Sequence, residues 1–147
     1  SVKWVADGMN GKPTVRGRGT GSLRLEDLRG APKPITVFVV SQSLEPCGPD
    51  WQRTIASFTG VGQEWVLPNW MIGGPGGQKP TTWSPRLFLF QQRGGAALGK
   101  ITILGASAAQ GQALGGDISE VLIFDRSLRF DETEALTKYL NAKWGLK

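Results

Sequence analysis

Apolar residues fall in short blocks along most of this chain and in a helical stripe only at its end. The longest block, Ile35-Thr36-Val37-Phe38-Val39-Val40, is β-branched and aromatic almost throughout, which predicts a strand buried on both faces rather than one alternating between core and water. Shorter blocks between Gly- and Pro-rich breaks predict further strands at 14–18, 22–25, 54–59, 64–67, 86–91, 100–104 and 117–124. The last of these holds Ile118, Val121, Leu122, Ile123 and Phe124, with Asp125 as a turn residue. Many short strands and a single helical segment point to an all-β fold.

The helical segment spans 131–144. Leu136, Tyr139, Leu140 and Trp144 recur at helical spacing and predict an apolar stripe docked on the body of the domain. Asp131, Glu132 and Glu134 lie at its start and Lys138 and Lys143 near its end, the order the helix dipole favours. Arg129 cannot accept hydrogen bonds from first-turn amides, so capping is expected at Asp131, with Glu134 completing a box. Gly145 is the natural stop.

A chain of 147 residues makes one domain, 1–147, large enough to stand without disulfide or metal. The one cysteine, Cys47, cannot form an internal disulfide, and with no histidine the chain has neither Ser-His-Asp, Cys-His nor histidine-zinc chemistry. No apolar run approaches a membrane span. The opening at Ser1 without an apolar leader is the expectation for a domain taken from a longer protein or one whose signal has been removed. The net charge of +5 includes Arg16, Arg18, Arg24 and Arg29, but Glu26 and Asp27 are interspersed and no aromatic platform alternates with them. These arginines read as a solvated strand face, not a nucleic-acid surface. Gly17-Arg18-Gly19, Gly94-Gly95 and Gly115-Gly116 lack the lysine-serine/threonine pair of a phosphate loop and read as turns.

The stretch from Gly116 to Leu128, with the helix and Lys143-Trp144-Gly145-Leu146, resembles the C-terminal signature of laminin-G-like jelly rolls in the concanavalin A-like lectin/glucanase superfamily. Asn10-Gly11-Lys12-Pro13-Thr14-Val15-Arg16 resembles that family's opening strand, and Thr36 to Val40 and Ile101 to Gly105 are similar to later ones; together these anchors cover about half the chain in family order. Arg129 departs from the family, which commonly has serine there. The resemblance implies a two-sheet antiparallel β-sandwich of jelly-roll type with a short C-terminal α-helix. It also implies an extracellular or cell-surface setting inside a larger protein.

Residues 46–85 match nothing in that family and form a loop-rich, tryptophan-rich insertion with Trp51, Trp65, Trp70 and Trp83. An indole face stacks on the C–H face of a sugar, and Arg53, Gln63 and Asn69 supply groups for hydroxyls. These seven residues are the candidate ligand site, on loops of the kind that carry binding. The same tryptophans are equally the material of a packed cluster under long loops.

Hydrolysis of a glycoside needs two carboxylates about 5 to 10 Å apart, and the superfamily's Glu-x-Asp-x-x-Glu motif is absent. Asp117 and Glu120, three apart on one extended strand, are expected on opposite faces. The aspartates at 7, 27, 50, 117, 125 and 131 form no calcium cluster. The expectation is a non-catalytic carbohydrate-binding module with no cofactor and no metal. The alternative is a structural or protein-interaction domain, including self-association.

Overall fold

The computed structural model describes residues 2–18, 22–26, 33–44, 56–60, 63–67, 84–96, 98–103 and 115–147. They form two antiparallel sheets and a C-terminal helix, so the all-β expectation holds. One sheet has five strands in the order β1 (Val2–Met9), β2 (Lys12–Arg18), β9 (Gly115–Phe124), β4 (Lys33–Ser43), β7 (Arg86–Ala96). The other has four, in the order β3 (Leu23–Glu26), β8 (Leu98–Ile103), β5 (Ala56–Gly60), β6 (Gln63–Leu67). The pairings nest: β2 with β9, β3 with β8, β4 with β7 and β5 with β6.

β4 is buried on both sides, as its sequence predicts. Val37 and Val39 on one face and Phe38 and Val40 on the other are all inaccessible to solvent, and the strand is hydrogen-bonded to β7 and β9 along its edges. Its proline costs no ladder bond: Pro34 falls where the register with β7 shifts, between Lys33 and Ile35. Pro13 likewise lies opposite an irregularity in β1, between the pairs Val5↔Thr14 and Met9↔Lys12.

β1 is a strand that the apolar pattern did not predict. As the outermost strand it pairs only with β2, and Lys3, Trp4, Ala6 and Asp7 are exposed, so little apolar periodicity is required of it. The hairpin signal is instead Asn10-Gly11, whose φ values of 50° and 69° are those of a type I′ turn. The glycine pairs expected as turns lie inside strands: Gly17 in β2, Gly94 and Gly95 in β7, Gly115 and Gly116 in β9. Gly116 is there because a Cβ would strike the Gln42 carbonyl of the neighbouring strand.

Helix α1 (Phe130–Trp144) covers one face of the large sheet. Leu128, Leu140 and Trp144 bury against Met9, Phe38 and Val40, with Leu87, Leu122, Phe124, Leu136 and Leu146 around them. Phe38 and Phe124 meet edge to face, their centroids 6.3 Å apart, in the geometry the ring quadrupole favours. Tyr139, expected in the stripe, is 54% exposed and lies beside Lys143. It is the helix position flanking the stripe rather than on it. The stop is as expected: Gly145 is left-handed at φ 62°, and the Leu146 amide donates to the Asn141 carbonyl at 2.9 Å, closing a Schellman turn.

The N-terminus corrects the expected cap. The helix starts at Phe130, after an extended Arg129, and the acid that serves the cap is Glu132, whose carboxylate accepts from the Arg129 amide at 2.9 Å. Glu132 is held there by Arg126, which donates twice at 2.8 Å, and Asp131 pairs with the Arg129 guanidinium at 3.1 Å. Arginine supplies no acceptor, so only the backward half of a capping box forms. The Arg126 hydrogen bonds, then the Arg129 amide, hold the Glu132 carboxyl at about 2, below its ordinary 4.5.

Just before the helix, the buried Thr36 hydroxyl donates to the Arg126 carbonyl at 2.9 Å and accepts from the Leu128 amide at 3.1 Å. Gln91 Nε2 donates to the Leu128 carbonyl at 2.9 Å and to the same hydroxyl at 3.3 Å. All the bonding capacity of that hydroxyl is in use.

Thr36→Val keeps the shape and orphans the groups the hydroxyl served; we expect a loss of about 1–3 kcal/mol in urea unfolding. Because the Glu132 carboxyl is depressed in the folded state, its contribution is complete above its unfolded value of 4.5 and is lost as pH falls through about 2. Glu132→Gln should flatten that part of the stability-pH curve, followed by the urea midpoint under far-UV circular dichroism.

Candidate functional site

The carboxylates of β9 are the first place to look for chemistry, and the structure overturns one expectation about them. The register between β4 and β9 passes from Val40↔Glu120 to Ser41↔Ile118, so Ser119 is an extra, bulged residue. The bulge cancels one step of the alternation. Asp117, paired with Gln42, and Glu120, paired with Val40, therefore lie on the same face, the one under the helix. An alternation count along the sequence cannot register a bulge, so opposite faces were expected.

Both carboxylates are nonetheless committed to neighbours. Asp117 is fully buried; Arg16 donates to it from Nε at 2.6 Å and from a terminal nitrogen at 2.9 Å. Gln42 adds a third bond at 2.6 Å while also donating to the Gly8 carbonyl at 3.1 Å. Hydrogen bonding to Asp117 raises the Arg16 pKa further above its already high value. Arg16 is thus not an idle member of a solvated arginine face. Register explains why: Arg16 stands directly opposite Asp117 in the β2–β9 ladder.

Glu120 ties the helix end to the sheet. It accepts from the Trp144 indole nitrogen at 2.6 Å and from Lys143 at 2.8 Å. The bond to Glu120 raises the lysine's pKa. Trp144 is 5% exposed, a packing residue as its spacing predicted. Ser119 on the same bulge reaches the Met9 sulfur at 3.1 Å. The exposed Asp125 pairs with Lys33 at 2.9 Å, and that bond lowers its pKa.

Of the seven residues proposed to bind ligand, Gln63 and Trp65 lie in β6, at the edge of the four-stranded sheet. They pair with Gly60 and Phe58 of β5 and stand two residues apart in that strand. Trp51, Arg53, Asn69, Trp70 and Trp83 lie outside the described residues. Trp4, on β1, is 69% exposed and was not among the candidates. Among the described residues no group of three or more His, Cys, Asp or Glu side chains is placed to hold a metal ion, and no helix is long and apolar enough to cross a membrane.

No family profile, curated protein or solved structure matches this chain.

Asp117→Leu should cost about 3 kcal/mol, because it strands the Arg16 guanidinium over an apolar side chain. Arg16→Met in the same chain should recover part of that loss, a coupling a double-mutant cycle of urea unfolding reads directly.

Proposed function

We propose that this chain is a non-catalytic carbohydrate-recognition module, with ligand held by the tryptophan-bearing segment between β4 and β7. The carrying observation is that Gln63 and Trp65 stand two residues apart in an edge strand, within the part of the sequence that also holds Trp51, Arg53, Asn69, Trp70 and Trp83. Tryptophan and glutamine are the residue types that offer stacking for a sugar ring and directed hydrogen bonds for its hydroxyls.

A laminin-G-like jelly roll of the concanavalin A-like type is the proposed frame. Its support is the nested pairing, with sheets ordered β2-β9-β4-β7 and β3-β8-β5-β6. That is the order a hairpin of four strand pairs takes when it wraps into two sheets. In this reading β1 is an added edge strand and α1 closes the outer face of the larger sheet. The absence of catalysis is inferred from Asp117 and Glu120, whose oxygens are occupied by Arg16, Gln42, Lys143 and Trp144. An extracellular or cell-surface location follows from the same family resemblance.

A second reading, a structural or protein-interaction domain, is favoured by large apolar side chains left in solvent: Phe130 at 82% exposed, Trp4, and Leu89 on the edge strand β7. Apolar groups at sheet edges suit protein contacts.

Glycan-array screening with tryptophan fluorescence separates the two. Under the first reading a polysaccharide quenches the fluorescence, and Trp65→Ala lowers affinity by about tenfold or more, the loss of one stacking contact. Retention of no glycan, together with self-association in sedimentation, would replace it with the second.

A further inference from the structure

Asn10 has two tasks. With Gly11 it makes the positive-φ turn between β1 and β2. Its amide Nδ2 also donates to the Trp144 carbonyl, and at 3.4 Å to the Gly145 carbonyl, from the other end of the chain. The Trp144 carbonyl is an orphan acceptor of the helix C-terminus and that of Gly145 follows it in the cap, and Asn10 supplies a donor for them.

An asparagine followed by glycine is chemically labile, because a glycine nitrogen has no neighbouring side chain to shield it. We propose that Asn10 is a site of spontaneous deamidation gated by the docked C-terminal helix. The Gly11 amide nitrogen bonds to Cγ of Asn10 as the Cγ–Nδ2 bond breaks, and Nδ2 leaves as ammonia with the Gly11 amide proton. Water then opens the five-membered imide at either carbonyl, giving aspartate or isoaspartate; no oxidant or reductant takes part. Asn10 is exposed, so water reaches it. The reaction requires Cγ to swing onto the Gly11 nitrogen, and the bonds to Trp144 and Gly145 hold the amide toward the helix instead.

The product works against the docking that delayed it. A carboxylate at position 10 has no N–H to donate and sets negative charge against two carbonyls at the negative end of the helix. An opening long enough for the reaction therefore leaves a helix end that cannot be hooked again. The gate works in one direction.

The whole chain, incubated at mildly alkaline pH, is assayed by peptide mass spectrometry for aspartate and isoaspartate at position 10. Conversion should be slow in the native chain and faster by about tenfold or more in Glu120→Gln and Trp144→Ala, which loosen the helix end and raise its open population. A native rate equal to that of the urea-unfolded chain, or unchanged by both variants, overturns the gate. Asn10→Gly keeps the turn, because glycine accepts positive φ, and removes only the side-chain bonds. Asn10→Asp should lower hydrogen-exchange protection at residues 141–146 more than Asn10→Gly does. Wild-type protection in Asn10→Asp would overturn the consequence for the helix.

Discussion

Phe38 and Val40 of β4 form the floor on which Leu140 and Trp144 close, and this apolar seam joins the last residues of the chain to the middle of its larger sheet. A helix of 15 residues is marginal by itself in water, so α1 owes its stability to this burial more than to its own propensity. The polar contacts around the seam have a different role. Thr36 and Gln91 fix the approach to the helix, Glu120 fixes Trp144, and Asn10 meets the last carbonyls. Each matches a buried or terminal polar group that the apolar contact alone would leave unpaired. The seam provides most of the energy, and the hydrogen bonds select one position for the helix.

The bulge at Ser119 decides what the carboxylates of β9 can do. By turning Glu120 to the helix side it lets one short segment serve two anchors, Asp117 toward Arg16 and Gln42, and Glu120 toward Lys143 and Trp144. Two acids on one face would suggest an active site on spacing alone. Their partners give them another use: they connect the opening hairpin, the central strand and the closing helix. The Arg16–Asp117 pair is the more demanding, since Asp117 is fully buried and without Arg16 its charge would be left with the neutral Gln42 amide as its described partner.

Much of the fold was legible in the sequence because the signals involved are local. The β-branched run at 35–40 marked a strand covered on both faces, and it is one. The spacing of Leu136, Leu140 and Trp144 marked the buried side of the helix, and Gly145 its end. Of the candidate site, the strand that carries Gln63 and Trp65 was legible, and the arrangement that would make a ligand site of them was not. Tryptophans on loops and tryptophans in a core have the same sequence; only their neighbours across the fold distinguish them.

By itself, then, the sequence determined where most of the strands and the helix form, that Leu136, Leu140 and Trp144 of the helix turn inward while Tyr139 did not follow, and that histidine-dependent chemistry is absent. Those properties depend on residue type and on spacing along the chain. The tertiary structure decided the rest: the edge strand β1, the cap at Arg129 with Glu132, the shared face of Asp117 and Glu120, and the reach of Asn10 to the helix end. Most of these depend on register and contact between residues far apart in the chain. The cap does so as well, since Glu132 is positioned by Arg126, whose carbonyl Thr36 of β4 holds in place. Spacing in the sequence specifies which neighbours are near along the chain, and only folding brings together those that are not.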